Sequence, residues 1–196
     1  MDLFNATTLM SFFLGIGLAA SAGFRVFLPL FALSLVAHFG SSFMLLGESW
    51  QWLGSTPALI TLGVATLVEI LAYYIPFVDN LLDTLAIPLA AIAGTVLMSS
   101  TLVDMGEVGT WAVAIIAGGG TAATVSGATA SVRALSTGTS GGTANFLVNT
   151  GETATASILS ITSFLWAPLA FGLVLVCLYF VYRFWKKSKT YFAKSG

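Results

Sequence analysis

Long apolar runs without a charged residue recur along this chain. They cover residues 84–103, 108–132 and 153–182, which are twenty, twenty-five and thirty residues long. About 20 residues are needed to cross the hydrocarbon core of a bilayer as a helix. The runs are too long and too uniform for the short alternating strands of a membrane barrel. They therefore predict an all-α, polytopic bundle of transmembrane helices.

Prolines break the first and the last of the apolar stretches. The first stretch, 9–39, is too long for one untilted span, so we expect a long kinked helix or two pieces broken around Pro29. Pro168 interrupts the last run. We expect a final span over 166–185, with 153–165 as a separate half-helix or a kinked extension.

Three further spans lie between these two stretches. They begin near residues 57, 85 and 111. We therefore expect five to six spans with broken or kinked helices, in a single transmembrane domain over 1–182. A basic tail, 183–196, follows it.

Small residues recur every four positions in two of the spans. The rows are Gly15, Ala19 and Gly23 in the first span, and Gly118, Ala122, Ser126, Ala130 and Ala134 in the fourth. Such rows let helix backbones approach closely. They predict that these two helices cross, and they are the faces through which copies of the chain would form a homo-oligomer.

The same two spans share a short similarity. Residues 21–25 (SAGFR) resemble residues 129–133 (TASVR), and each segment precedes a helix-breaking element. In a five-span count the two helices run in opposite directions, as in an inverted repeat whose broken helices meet at a mid-membrane site. Chance similarity between small-residue helices is the alternative interpretation.

Charged residues are scarce and unevenly placed. Of the seven basic residues, five fall in the last fourteen positions, namely Arg183, Lys186, Lys187, Lys189 and Lys194. By the positive-inside rule, this tail predicts a cytoplasmic C-terminus. Arg25 and Arg133 stand alone in apolar stretches, where a charge costs about 2.5–3.5 kcal/mol on the lowest scales. Each is therefore expected to face a partner or a polar cavity.

Carboxylates are the available partners. Glu69 lies well inside the second span, where pairing with either lone arginine is its expected role. Glu152 stands at a helix start, where it suits the helix dipole or pairs with Arg133. Asp79 and Asp83, four residues apart, share a face of a helix and could hold a cation, a proton or an arginine. Asp79 could instead cap the third helix.

A charge-free polar stretch, 136–145 (STGTSGGTAN), follows Arg133. Its composition fits both a plain loop and backbone that is unwound at membrane depth to line a cavity. The predicted pocket for a substrate or an ion contains Arg25, Glu69, Asp79, Asn80, Asp83, Arg133, Ser136, Thr137, Asn145 and Glu152.

Other classes of chemistry find little support. His38 and Cys177 are the only histidine and cysteine, so we expect no metal site of the His/Cys type. We find no nucleophile–base constellation and no phosphate-binding loop, so we expect neither an enzyme nor a cofactor. The basic tail suits contact with anionic membrane lipid rather than nucleic acid.

Three segments resemble a known family. They are 17–30 (GLAASAGFRVFLPL), 69–83 (EILAYYIPFVDNLLD) and 136–145, the last followed by Gly151 and Glu152. In this order they are similar to the bacterial membrane family called domain of unknown function 4126. Many members carry Asp-Lys where this chain has Tyr73-Tyr74. The resemblance implies the bacterial inner membrane and points to the same charged residues, but it implies no activity.

Two functions fit these features. In the first, a small transporter or channel-like protein uses the buried charges to bind a small solute or an ion. In the second, a structural or accessory subunit uses them as ion pairs that hold a tight bundle. A membrane enzyme that acts on lipid is a third, less favoured hypothesis.

Overall fold

The structure is a computed structural model that describes residues 5–40, 46–103, 105–140 and 144–192, without the side chains of 76, 77, 79–81, 139, 184 and 187–192. This described part is helical and contains no strand, as the sequence predicts. A 3-10 helix, Glu48–Gly54, and a π-helical turn, Ala114–Gly119, accompany its α-helices. These are α1 (Ala6–Phe24), α2 (Phe27–Phe39), α3 (Thr56–Ala72), α4 (Pro76–Thr101), α5 (Glu107–Val113), α6 (Gly120–Ser140), α7 (Asn145–Leu165) and α8 (Ala167–Phe192).

The first apolar stretch is broken at Arg25 and Val26, not around Pro29. Arg25 has extended backbone angles, with φ −142° and ψ 120°, and α2 begins two residues later. Pro29 lies in the first turn of α2, where its missing N–H has no helical partner to lose and its fixed φ suits the helix. Of the two predicted alternatives, a long kinked helix and two pieces, the structure has two pieces, and the break lies about one turn before Pro29.

After this break α2 folds back alongside α3. Its far end packs against Gly54, where the Ser34 hydroxyl donates to the carbonyl of Leu53 at 2.6 Å. The 3-10 helix that ends at Gly54 starts beside Gly47, whose N–H donates to the Ser100 carbonyl at the end of α4. Seven residues of 3-10 helix span only about 14 Å. The ends of α2 and α4 therefore lie at one end of the bundle, and Arg25 lies toward the other.

The helices α1 and α6 run in the same direction. The hydroxyl of Ser21 donates to the Ala156 carbonyl at 2.8 Å, and Arg25 Nε donates to Thr153 Oγ1 at 3.0 Å, so α1 is antiparallel to α7. A short connection joins α6 and α7, and Arg133 meets Glu152 across this hairpin. An inverted repeat needs α1 and α6 to be opposed. Because α1 and α6 run in the same direction, the predicted inverted repeat is not found.

The last helix, α8, also runs in the direction of α1. Phe171 stacks on Phe13 with ring centroids 4.6 Å apart, and Val174 joins the core cluster of Ile16 and Ala20. The helices α1, α3, α6 and α8 thus all end on the side that carries Arg25 and Arg133. We call this side of the bundle the arginine end.

Three of the described helices are long and apolar enough to cross a membrane, or four if a bent pair counts as one span. The three are Ala6–Phe24, Leu82–Thr101 and Glu107–Gly138, and the bent pair is Glu48–Gly54 with Thr56–Ala72. Exposed apolar side chains line α3 at positions 60, 64, 67, 68 and 71, the spacing of a lipid-facing stripe. The predicted number of five to six spans is not confirmed. The final break does lie at Trp166, as predicted, with α7 as a full helix before it.

The small-residue rows pack within the chain. A side chain added at Gly118 would meet Gly94 and Met98 of α4, and one at Gly23 would meet Ala122 and Val125 of α6. The predicted crossing of α1 and α6 is therefore confirmed. Because these faces are used inside one copy, they give no support to self-association, and the homo-oligomer stays a prediction.

Candidate functional site

Buried charged residues meet near the arginine end, and we call them the arginine cluster. Asp83, Arg133 and Glu152 each lie about two turns from the nearer end of their helix, which is roughly 10 Å along the axis. Arg25 is at the α1–α2 break, and Glu69 and Tyr73 are in the last turn of α3 and just after it. The cluster consists of Arg25, Glu69, Tyr73, Asp83, Arg133 and Glu152.

Arg133 is held by two carboxylates. Its Nη1 lies 2.7 Å from Asp83 Oδ1, and its Nη2 lies 3.3 Å from Glu152 Oε2. The side chains of Arg133 and Glu152 are almost fully buried, whereas that of Asp83 is 23% exposed. The predicted pairing of Glu152 with Arg133 is confirmed. Asp83 is the member of these pairs through which the cluster reaches the surface of the bundle.

Arg25 depends mainly on neutral partners. Its Nε donates to Thr153 Oγ1 at 3.0 Å, and its Nη2 donates to the Asn149 carbonyl at 2.8 Å. The nearest carboxylate oxygen is Glu152 Oε2, at 3.7 Å from Nη2. Arg25 is 1% exposed, and its Nη1 has no hydrogen-bond partner among the described residues. Arg25 is thus a buried cation with a spare donor.

Tyr73 joins the two arginines. The guanidinium carbons of Arg25 and Arg133 lie 4.1 and 4.6 Å from the centroid of its ring, within the range of cation–π contacts. The Tyr73 carbonyl accepts a hydrogen bond of 2.6 Å from Asn149 Nδ2, which ties α3 to α7. One aromatic ring therefore contacts and stabilises both buried cations.

We expect Tyr73→Leu to lower the free energy of unfolding by about 2 kcal/mol, because each buried cation–π contact contributes up to about that amount. Tyr73→Phe keeps the ring and should lose less. Unfolding in detergent measures both variants, with Tyr179→Leu on the exposed face of α8 as the control. Equal losses for Leu and Phe at position 73 would contradict the cation–π role.

Among the described residues Glu69 forms no direct ion pair with an arginine, which corrects the sequence-based expectation. Its two carboxylate oxygens accept hydrogen bonds from the backbone N–H groups of Val26 at 2.7 Å and Phe27 at 3.0 Å. The first N–H groups of a helix have no partner within the helix. Glu69, which lies on α3, supplies the hydrogen-bond acceptors that the first N–H groups of α2 lack.

The remaining predicted residues have different outcomes. The side chains of Asp79 and Asn80 lie outside the described residues, but Asp79 is not the cap of α4, because the helix begins at Pro76 after Ile75. Ser136 and Thr137 are helical, since α6 continues to Ser140. Both alternatives predicted for 136–145, a plain loop and unwound backbone, are therefore wrong as far as Ser140, and residues 141–143 are outside the described part. Asn145 begins α7, and its Nδ2 donates to Thr137 Oγ1 at 3.0 Å.

Sequence reasoning missed three contributors, which are Tyr73, Asn149 and Thr153. A detectable pattern was present in α7, where the buried positions 149, 152, 156, 160 and 163 form one stripe at helical spacing. Tyr73 follows Glu69 by four residues and so lies on the same helix face. The sequence argument was based on the cost of isolated charges, so it did not select neutral polar residues. These residues nevertheless supply most of the partners of Arg25.

The charges of the cluster are compatible with two chemical roles. Among its described members, two cations face three carboxylates within a space that contains little water-exposed surface. Such a group can bind a proton or a cation at a carboxylate, or an anion at a guanidinium, provided that a helix moves to admit it. A fixed set of ion pairs would show the same static contacts.

The sequence pattern of the family described as Domain of unknown function (DUF4126) matches residues 12–187, which is most of the chain. No curated protein matches the chain, and no solved structure does.

Proposed function

Because the chain belongs to the DUF4126 family, whose description assigns no activity, we propose a function from the arginine cluster itself. The protein is a membrane protein, and we propose that it is a small transporter or channel-like protein. The cluster would be its polar intramembrane site for a small solute or an ion. The observation that carries this proposal is a buried Arg25 with a spare donor at a helix break. Broken helices that meet inside a membrane are typical of solute sites in transporters.

The proposed orientation places the cluster toward the cytoplasm of a bacterial cell. The described basic residues Arg183 and Lys186 lie near the end of α8, at the arginine end. By the positive-inside rule, that end of the bundle would face the cytoplasm in the inner membrane. Two turns of α6 and α7 would then separate the cluster from the cytoplasmic surface. Polar side chains on these turns, namely those of Ser136, Thr137 and Asn145, suit the approach of a hydrated solute.

We expect the purified protein to raise the permeability of vesicles of phosphatidylethanolamine and phosphatidylglycerol to at least one of four ions. The ions tested are H⁺, Na⁺, Cl⁻ and acetate, each followed with an entrapped indicator dye. Arg25→Met should abolish the flux, because it removes the cation with the spare donor. Glu107→Gln, a substitution of an exposed residue at the opposite end of the bundle, is the matched control. Permeability equal to that of protein-free vesicles for all four ions would overturn the proposal.

A structural or accessory subunit is the second candidate function. It is favoured by the near-complete burial of both arginines, at 1% and 2% exposure, and by their protein partners. Breaking one buried pair typically costs about 3–5 kcal/mol, so such a network would hold the bundle closed. This candidate predicts one constant protein partner on purification from the native membrane, and loss of that partner in the Arg25→Met variant.

A further inference from the structure

A cavity lies at the end of the bundle opposite the arginine cluster. Its volume is about 830 Å³, within the range of about 300–1,000 Å³ that is usual for ligand sites. The 3-10 helix and α5 form its sides, and residues at the end of α4 form its floor, where Ser99 and Leu102 are buried. Glu48 lies exposed at its rim. The cavity is therefore closed by the core below and open at the surface of the bundle.

Two tryptophans form a corner of this cavity. Trp50 of the 3-10 helix and Trp111 of α5 both line it, with ring centroids 6.3 Å apart and ring planes inclined by 56°. Trp50 is held in place, because it packs against the core cluster that contains Leu53 and Leu97. The face of an indole ring attracts a cation through its negative quadrupole. Two inclined aromatic rings beside one cavity are therefore a favourable setting for a cation.

The π-helical turn sets the direction of Trp111. Such a turn contains one residue more than an α-helical turn, so it rotates the preceding helix by about 100° relative to an uninterrupted α-helix. The preceding helix is α5, which contains no buried residue. Burial of α5 in the core therefore does not explain why Trp111 is turned toward the cavity. Turns of this kind are frequent at functional sites, which is an argument for a site that does not depend on the volume of the cavity.

The charge of the rim favours a positive ligand. The carboxylate of Glu48 has no ion-pair or hydrogen-bond partner among the described residues. The lysines and arginines of the described part lie at the arginine end, so none of them neutralises the rim. A carboxylate beside aromatic faces is the composition of sites that recognise organic ammonium groups.

A metal ion fits this cavity less well than an organic cation does. The described residues contain no group of three or more His, Cys, Asp or Glu side chains that could hold a metal. Ca²⁺ takes about six to eight oxygen ligands, and Mg²⁺ demands near-octahedral geometry. An ammonium group that carries methyl or methylene groups needs no such set of ligands, because its apolar surface can lie against aromatic rings.

We propose that this cavity binds an organic ammonium group, with the rings of Trp50 and Trp111 against its methyl or methylene groups and Glu48 balancing its charge. The class of ligand includes ethanolamine and choline, either as free amines or as the headgroup of a phospholipid. A lipid is one source because tryptophans and lipid headgroups share the interfacial layer of a membrane. The site is separate from the arginine cluster, so the inference does not depend on the transport proposal.

Calorimetric titration of the full-length protein in a maltoside detergent tests the need for a positive charge. Choline should bind with a dissociation constant of about 1 mM, the affinity of a small ligand with few contacts. Its neutral carbon analogue, tert-butylethanol, has the same shape without the charge and should bind at least about tenfold more weakly. Equal binding of the two compounds would identify a plain apolar cavity and overturn the proposal.

Substitutions locate the binding site. Trp111→Leu should weaken the binding of choline about fivefold, because it removes one cation–π contact. Glu48→Gln should weaken it about threefold at low salt, since Glu48 is exposed and its charge is screened at high salt. Trp185→Leu, a substitution of an exposed residue on α8, should leave the affinity unchanged.

Folding of these variants is checked by their melting curves. Trp111 lies on a helix without buried residues, so Trp111→Leu should melt at the same temperature as the wild type. Glu48→Gln removes no contact between described residues and should do the same. An affinity for choline that is the same in the wild type, Trp111→Leu and Glu48→Gln would overturn the proposal.

Short-chain phospholipids distinguish the two sources of the ammonium group. Dihexanoyl phosphatidylethanolamine carries this group, whereas dihexanoyl phosphatidylglycerol has the same chains and phosphate without it. If phosphatidylethanolamine binds about tenfold more tightly than free ethanolamine and phosphatidylglycerol does not bind, the site is one for a lipid headgroup. Equal binding of phosphatidylethanolamine and ethanolamine assigns the site to a free amine. Equal binding of the two lipids, or no binding of choline, ethanolamine or phosphatidylethanolamine, would overturn the proposal.

Discussion

Glu152→Ala should lower the free energy of unfolding by about 3–5 kcal/mol, because it leaves a buried charge without compensation. Glu152 Oε2 is the carboxylate oxygen nearest to Arg25 and also approaches Arg133. Arg133 keeps Asp83 at 2.7 Å, whereas Arg25 keeps only the neutral Thr153 and Asn149 and the ring of Tyr73 among the described residues. The main loss should therefore come from Arg25. Chemical unfolding in detergent measures it.

A pair of double variants tests which arginine is responsible. Adding Arg25→Met to Glu152→Ala removes the uncompensated cation, so this double variant should recover a large part of the lost stability. Adding Arg133→Met instead leaves Asp83 without its close cation, so it should recover little. Glu107→Ala, at an exposed position in the first turn of α5, is the control for removal of a carboxylate. Equal recovery by the two double variants would contradict the assignment of the loss to Arg25.

Much of the charged site was predictable from the sequence, because of the cost of lone charges in hydrocarbon. Arg25 and Arg133 had to find partners, and few carboxylates were available to them. Asp83 and Glu152 are confirmed as partners by their distances. The same argument misplaced Glu69, since it considered only charged partners. The buried N–H groups at the start of α2 could not be anticipated while the helix break was placed around Pro29.

The course of the backbone was less predictable than the residues. The apolar stretch over 9–39 reads as a long span, but it contains a hairpin whose turn is buried at Arg25. Apolar composition alone does not distinguish a helix that continues from one that folds back, because both bury the same residues. This hairpin changes the direction of every later helix. The inverted relation of α1 and α6 followed from a count that left it out.

The second large effect concerns the contact between α4 and the π-helical turn that precedes α6, where we expect a single added side chain to disrupt the bundle. A Cβ at Gly118 would lie 2.5 Å from the carbonyl oxygen of Gly94 and from Cβ of Met98. Both lie on α4, and a backbone oxygen cannot move aside without moving its helix. Overpacking of a core commonly costs about 1–3 kcal/mol. For Gly118→Val we expect about 3 kcal/mol, since its branched side chain meets backbone.

Gly120, two residues later, provides a matched control for this contact. No atom lies within 4 Å of a Cβ added there, so Gly120→Ala should cost nothing and could gain up to about 1 kcal/mol from helix propensity. Parallel melting curves in one detergent compare the two variants. The π-helical turn leads directly into α6, which carries Arg133, whereas Asp83 lies on α4. Separation of the turn from α4 should therefore also weaken the ion pair between Arg133 and Asp83. Gly118→Val and Glu152→Ala should therefore be less than additive when combined. Full additivity would show that helix packing and the arginine cluster are independent, contrary to the arrangement of α4 and α6.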